Sequence, residues 1–178
     1  MPDRTARLRL RPPRMADEAA MRAGHAELSE IGFAFLFSPE LSWGEQLDTF
    51  ERQARGIDLA RGHVPADFLV GEVGTEIPEI MGRVSIRHTL TPMLFELGGH
   101  VGYAVRPAFR GRGYATAMLR LAVQRLAEHG VDDVLVTCDE DNIGSIRVIE
   151  RCGGVLEDIR HVADGVPAKR RYWIDSRN

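Results

Sequence analysis

The stretch Val105-Arg106-Pro107-Ala108-Phe109-Arg110-Gly111-Arg112-Gly113-Tyr114-Ala115-Thr116 interleaves Gly111 and Gly113 with Arg110 and Arg112 between an apolar segment and a helix-like pattern. A strand end, a turn and a helix start in succession aim unpaired backbone N–H groups and the positive end of a helix dipole at one point. Gly111 and Gly113 let phosphate oxygens approach the backbone with no Cβ in the way. Arg110 and Arg112 add charge in a form that grips phosphate bidentately. This pattern predicts a pyrophosphate site; the plain alternative is a loop before a surface helix. A Walker A loop needs Gly-Lys-Ser/Thr, and the one lysine of the chain is Lys169. The dinucleotide fingerprint fails at its third glycine, where Thr116 stands.

Several elements must position that turn. Downstream, Ala115, Met118, Leu119, Ala122, Val123 and Leu126 fall on one helical face, and Gly130 stops the helix. Val134-Leu135-Val136 suits a buried central strand. A second helix is expected over Asn142–Cys152 with Ile143, Ile146 and Ile149 inward. Strands Val155–His161 and Lys169–Ile174 follow, flanking an Asp164-Gly165 turn. Upstream, strands are expected at Phe68–Val73, Ile80–Arg87 and Gly99–Val105, with turn chemistry from Gly74 to Pro78. The N-terminal part reads as a strand over Ala6–Arg11, then a helix over Ala16–Glu30 with Ala19, Ala20, Ala23 and Leu28 inward. A second helix opens at the capping box Ser42-Trp43-Gly44-Glu45, carries Leu47, Phe50 and Ala54, and fades at Gly56. The order β-α-α-β-β-β-α-β-α-β-β makes an α/β (α+β) fold, with helices on both faces of a mixed sheet.

The chain has 178 residues, 44% hydrophobic and 28% charged, which favours one folded domain, 1–178, with no repeat or linker. Its longest apolar run, Phe33–Phe37, is too short for a membrane span. That run could serve an interface, such as a homodimer's, as easily as a core. A net charge of −3 gives no basic field for nucleic acid. Arg4, Arg7, Arg9, Arg11 and Arg14 crowd the start, but alternation with Leu8 and Leu10 reads as a strand and not a targeting peptide. Two cysteines without zinc spacing fit a reduced, cytoplasmic setting with no metal.

Arg110-x-x-Gly113-x-Ala115 resembles the acyl-CoA signature of the GNAT superfamily of N-acetyltransferases, Gln/Arg-x-x-Gly-x-Gly/Ala. Asn142, Ser145 and Gly153 resemble the second half of its pattern, and the element order matches its fold across most of the chain. Gly98 to Pro107 is similar to the subgroup holding ribosomal-protein N-terminal acetyltransferases. The resemblance implies acetyl-CoA as co-substrate, held at Ala104 and Val105 (with Tyr103, as a pseudo-strand along the pantetheine arm). It also implies a pyrophosphate on the amides of Arg110, Gly111, Arg112, Gly113, Tyr114, Ala115 and Thr116, and contacts from Asn142 and Ser145. An Asn there is equally a good helix cap.

Acetyl transfer needs a neutral amine, a polarised carbonyl and a stabilised leaving thiolate. The family's usual acid, a tyrosine on the second motif helix, falls at Ile149. Tyr103 and Tyr172 are the substitutes, each equally readable as a packing residue. His100 stands where the subgroup often has Glu, and its imidazole suits a general base; the bland reading is a hydrogen-bonded strand histidine. His88 and Glu96 could line an acceptor pocket, and Asp139-Glu140-Asp141 could meet an amine, although solvated turns explain all of them. Cys138 reads as core. The expected function is acetyl transfer to a primary amine of a small molecule or peptide N-terminus. The alternative is a non-catalytic acyl-CoA sensor.

Overall fold

A computed structural model describes residues 8–74 and 78–177. Its strands are β1 (Arg9–Arg11), β2 (Ala66–Val73), β3 (Glu79–Arg87), β4 (Val101–Val105), β5 (Asp133–Asp139), β6 (Val155–Arg160) and β7 (Lys169–Asp175). Its α-helices are α1 (Glu18–Ser29), α2 (Trp43–Ala54), α3 (Tyr114–Glu128) and α4 (Ile143–Arg151). The element order is the expected one. The beginning of the first expected strand, at Ala6 and Arg7, and residues 75–77 of the turn before β3 lie outside the described residues.

The strands form two antiparallel sheets, β1-β2-β3-β4 and β5-β7-β6. Alternate residues of a strand face opposite sides, so the first sheet contributes to two cores. Leu69, Val84 and Val105 join Met118, Leu119 and Ala122 of α3. Phe68, Val70 and Ala104 join Met21 and Leu28 of α1 and Trp43 and Phe50 of α2 on the other side. A sheet covered on both faces explains why β2 and β3 read as nearly unbroken buried runs.

The sheets meet at one joint. The His100 amide donates to the Leu135 carbonyl at 2.7 Å, the Leu135 amide donates to His100 Nδ1 at 2.9 Å, and the Thr137 hydroxyl donates to the Leu97 carbonyl at 2.8 Å. Gly99 sits inside this joint at φ +64, and a Cβ there would lie 2.6 Å from the Leu135 oxygen, so only glycine fits. Beyond the joint β4 and β5 share no ladder, and a cleft opens between them.

The capping box at Ser42 forms as expected, with Ser42 Oγ accepting from the Glu45 amide and the Glu45 carboxylate accepting from the Ser42 amide. Two inward assignments are corrected, and the open question of the Phe33–Phe37 segment is resolved. The first helix turns Met21, Gly24 and Leu28 inward and leaves Ala19 and Ala23 exposed, because the face follows Met21. In α4, Ile149 is fully buried but Ile143 is exposed at the first turn. In the Phe33–Phe37 segment, Phe35 and Leu36 are core residues while Phe33 and Phe37 stay partly exposed.

Candidate functional site

The cleft has one wall made of β4. The Arg87 amide donates to the His100 carbonyl and the Arg106 amide to the Met81 carbonyl. By the alternation of an antiparallel ladder, Gly102 and Ala104 turn their backbone groups toward β3. Those of Tyr103 and Val105 therefore lie on the free edge beside the cleft, as expected for a strand awaiting an extended ligand. The Val105 carbonyl accepts from Arg110 Nε at 3.1 Å, which ties the following loop to the end of this edge.

That loop is the glycine-arginine turn. Pro107–Phe109 form a single 3-10 turn, Gly111 has φ +73, and Gly113 is the N-cap of α3 at φ +82 and ψ −2, with no side-chain cap. The first internal helix bond recorded at this end runs from the Ala117 amide to the Gly113 carbonyl. Among the described residues the amides of Gly111, Arg112, Gly113, Tyr114, Ala115 and Thr116 have no protein acceptor. Gly111 has open space where a Cβ would stand. Arg112 lies exposed, with its guanidinium carbon 5.8 Å from the centroid of the Phe109 ring. The turn is therefore a built anion cradle at the mouth of the cleft, and a pyrophosphate group fits it.

From the opposite wall, α4 presents its first turn. Asn142 caps it, its Oδ1 accepting from the Ser145 amide at 3.0 Å, so the cap role is realised. Tyr103 projects from β4 into the cleft toward the Ser145 hydroxyl. Its own hydroxyl is buried and makes no hydrogen bond within bonding geometry. Burial pushes its pKa up to about 12, so it holds its proton at neutral pH. Ile149, at the family's usual acid position, is fully buried in the core.

Other expected residues take different places. His100 does not suit a general base: Nδ1 accepts from Leu135, so the neutral ring carries its proton on Nε2 and has no free lone pair. Burial, reinforced by the Arg87 charge, pushes its pKa down to about 4. It is a tie between sheets. Tyr172 is buried among the core residues of β5 and β7, paired in register with Val136, and its hydroxyl receives only a long 3.5 Å contact from Arg170. Glu96 is ion-paired to Arg160 at 2.9 Å, and Asp139 to Lys169 at 2.5 Å, while Glu140 and Asp141 are exposed. The Cys138 thiol is pushed up to about 11, by burial first and Asp139 second, which makes it a protonated core group. His88 lies away from the cleft, stacked on His129 at 4.0 Å. With Asp67 these two form the one cluster of metal-ligating side chains among the described residues, but the Arg125 guanidinium is already ion-paired to that carboxylate.

The other face of β4 carries residues that sequence reasoning missed. A cavity of about 630 Å³ lies between α2, the loop after it and the segment before β4, lined among others by Gln46, Phe50, Ser85, Arg87 and Leu94. Two arginines of β3, Arg83 and Arg87, meet over Gly102, and Arg87 also lines this cavity. An arginine at the centre of the apolar run Ile80–Ile86 is the signal that could have found the first of them.

Comparison with known proteins bears on the fold and the family. L-2,4-diaminobutyric acid acetyltransferase of Nocardia farcinica is 27% identical over 125 residues, 65% of this chain and 62% of that protein. The matched part is thus under two thirds of that relative's length. RimJ of Mycobacterium smegmatis, solved with a CoA-disulfide, superposes with a TM-score of 0.71 at 20% identity, covering 96% of this chain and 82% of that one. The microcin C7 self-immunity acetyltransferase MccE, solved with acetyl-CoA and AMP, gives 0.68 at 17% identity, covering 95% and 92%. The ribosomal L7/L12 α-N-protein acetyltransferase RimL, solved with coenzyme A, gives 0.68 at 19%, covering 96% of each chain. The family model of the acetyltransferase (GNAT) domain matches residues 7–155, and the chain belongs to that family.

Proposed function

We propose that this chain transfers an acetyl group from acetyl-CoA to an amine nitrogen within a ternary complex. The observation that carries this reading is the continuity of two features: the free edge of β4 at Tyr103 and Val105, and the amide cradle from Gly111 to Thr116 at its end. A ligand with an amide-bearing arm and a pyrophosphate matches them in that order. RimJ, RimL and MccE, each solved with a CoA species, support it.

Bound acetyl-CoA supplies an activated thioester carbonyl. Tyr103 and Val105 bind the arm through backbone groups, and the α3 amides with Arg110 and Arg112 bind phosphate. Asn142 fixes the start of α4 so that Ser145 faces Tyr103. The Tyr103 hydroxyl, protonated and facing the Ser145 hydroxyl, donates a hydrogen bond to the charge that develops on the leaving sulfur. With His100 committed to the sheet joint, the amine reacts from its neutral form and gives its proton to water. Activity therefore rises with pH toward the amine's own pKa. Holding both substrates against β4 contributes the rest of the acceleration through proximity.

The test is isothermal titration with acetyl-CoA, with NADH and ATP as controls, followed by an amine screen read by thiol release. Micromolar binding of acetyl-CoA alone together with turnover supports the proposal; a folded protein that binds none of it overturns it. Ile149 at the usual acid position favours a second reading, a CoA-binding sensor, which tight binding without turnover on any amine would establish.

A further inference from the structure

Most arginines that this fold takes out of water have a carboxylate partner. Arg11 has Asp17 and Glu72, Arg106 has Glu27, and the fully buried Arg171 has Asp158 at 3.1 Å and Glu157 at 3.0 Å. Arg83 and Arg87 are exceptions. No carboxylate reaches either among the described residues. Arg83, 3% exposed, donates only to the carbonyls of Phe35, Ala34 and Gly102, and its guanidinium carbon lies 4.9 Å from the centroid of the Phe37 ring. Arg87 spends Nη1 on the carbonyls of Gly98 and Gly99, and its Nε and Nη2 hydrogens have no acceptor. Burial pulls both guanidinium pKa values down, and the Arg87 charge lowers that of Arg83 further. A buried charge without a counter-charge is costly, and here the buried Arg83 and the half-buried Arg87 stand side by side.

Their tips converge. Arg83 Nη1 and both terminal nitrogens of Arg87 lie 3.9–4.0 Å from where a Cβ on Gly102 would stand. Gly102 immediately precedes the β4 edge assigned to the acyl donor, on the face opposite the side chain of Tyr103. Arg87 also lines the 630 Å³ cavity. The acids on its rim, Asp48 and Asp58, are both taken by Arg52, so nothing on the cavity wall offsets the pair.

We infer that the acceptor carries an anionic group, a carboxylate or a phosphate, which seats against Arg87 over Gly102, with Arg83 adding its field from behind. This rests on the acetyl-transfer reading and narrows it. Amino acids and amino phosphates are acceptors of this class. Polyamines, whose second ammonium would meet two guanidinium groups, are excluded from it.

The experiment uses matched amines that differ in the anion: lysine against cadaverine, ornithine against putrescine, and phosphoethanolamine against ethanolamine. Each pair is measured by calorimetric binding to the protein and by thiol release with acetyl-CoA, and the first two pairs against the third tell carboxylate from phosphate. In at least one pair the anionic member is expected to bind and to react about tenfold better or more, the scale of a charge-assisted bond. In Arg87→Gln the ratio of kcat/KM within that pair falls toward one, while retained acetyl-CoA affinity shows that the fold survives. Equal or better use of the cationic member, a preference unchanged in Arg87→Gln, or no binding by any anionic member overturns the inference. If acetyl-CoA fails to bind but an anionic amine binds through Arg87, the donor reading falls and the anion site stands. If acetyl-CoA binds and no pair prefers its anion, the reverse holds.

Discussion

The two faces of β4 offer different means of recognising a ligand. Toward α3 and α4 the protein offers backbone: outward groups of Tyr103 and Val105, then a run of helix N-terminal amides reached through Gly111 and Gly113. Toward α1 and α2 it offers side chains, two arginines of β3 brought over Gly102 behind an aromatic wall of Phe33, Phe37 and Phe68. A backbone cradle depends on a few local dihedrals and tolerates many flanking residues. A side-chain pocket depends on which residues distant segments happen to carry. The first suits a donor shared by every member of a family, and the second suits an acceptor that differs among them.

The largest effect separating the two faces is expected from Gly113→Glu. It places a carboxylate where the proposed phosphate would sit and imposes a side chain on a residue at φ +82, a conformation that costs about 1 kcal/mol or more for non-glycine residues. Acetyl-CoA affinity should fall by more than about 100-fold, or roughly 3 kcal/mol, in a protein that stays folded by circular dichroism. Intact affinity would move the donor off the α3 cradle.

Between the faces lies the joint, and its histidine predicts an acid weakness. The unfolded chain protonates His100 near the ordinary value of about 6.5, whereas the folded site holds it near 4. Between those values the unfolded state binds a proton that the folded state refuses. The stability present above pH 6.5 is therefore lost as pH falls toward 4, by up to about 3 kcal/mol. In His100→Asn the amide oxygen can still accept from the Leu135 amide without titrating. Urea midpoints of the two proteins should then converge between about pH 7 and pH 4.5; parallel acid limbs would show that His100 charges freely in the fold.

The donor face was legible because its signals are local. Glycine spacing, the helical recurrence of Ala115 to Leu126, the Ser42 capping box and the turn glycines each act within a few residues, and the element order followed from them. The acceptor face was not legible. Arg83 and Arg87 meet Gly102 only through the β3–β4 register, and the Phe33–Phe37 segment that walls them has no regular period. His100 shows a third case. Its residue type suggested a base, but its role is set by Leu135, 35 positions along the chain, a contact no spacing rule reaches. Tyr172 stayed open between acid and packing residue for a similar reason, since a strand's period of two does not say which face is core.

Two smaller effects sharpen the donor side. Tyr103→Phe removes the hydroxyl facing Ser145 but leaves the backbone edge, so kcat should drop about 10- to 100-fold with acetyl-CoA affinity nearly unchanged. A drop in affinity with kcat retained would make Tyr103 a packing residue and return the search for the acid to α4. The smallest effect belongs to Arg112→Ala. Arg112 is exposed and held only over the Phe109 ring, so its charge reaches phosphate through solvent, and an exposed pairing contributes roughly 0.2–1 kcal/mol. Acetyl-CoA affinity should weaken by about two- to fivefold at low ionic strength. That difference should shrink as salt shortens the screening length, whereas the loss in Gly113→Glu persists at every salt concentration, because a carboxylate in the cradle excludes phosphate by occupancy as well as by charge. A large, salt-insensitive loss for Arg112→Ala would mean instead that the guanidinium closes over the phosphate as a side-chain clamp, and the donor face would then resemble the acceptor face in its dependence on arginine.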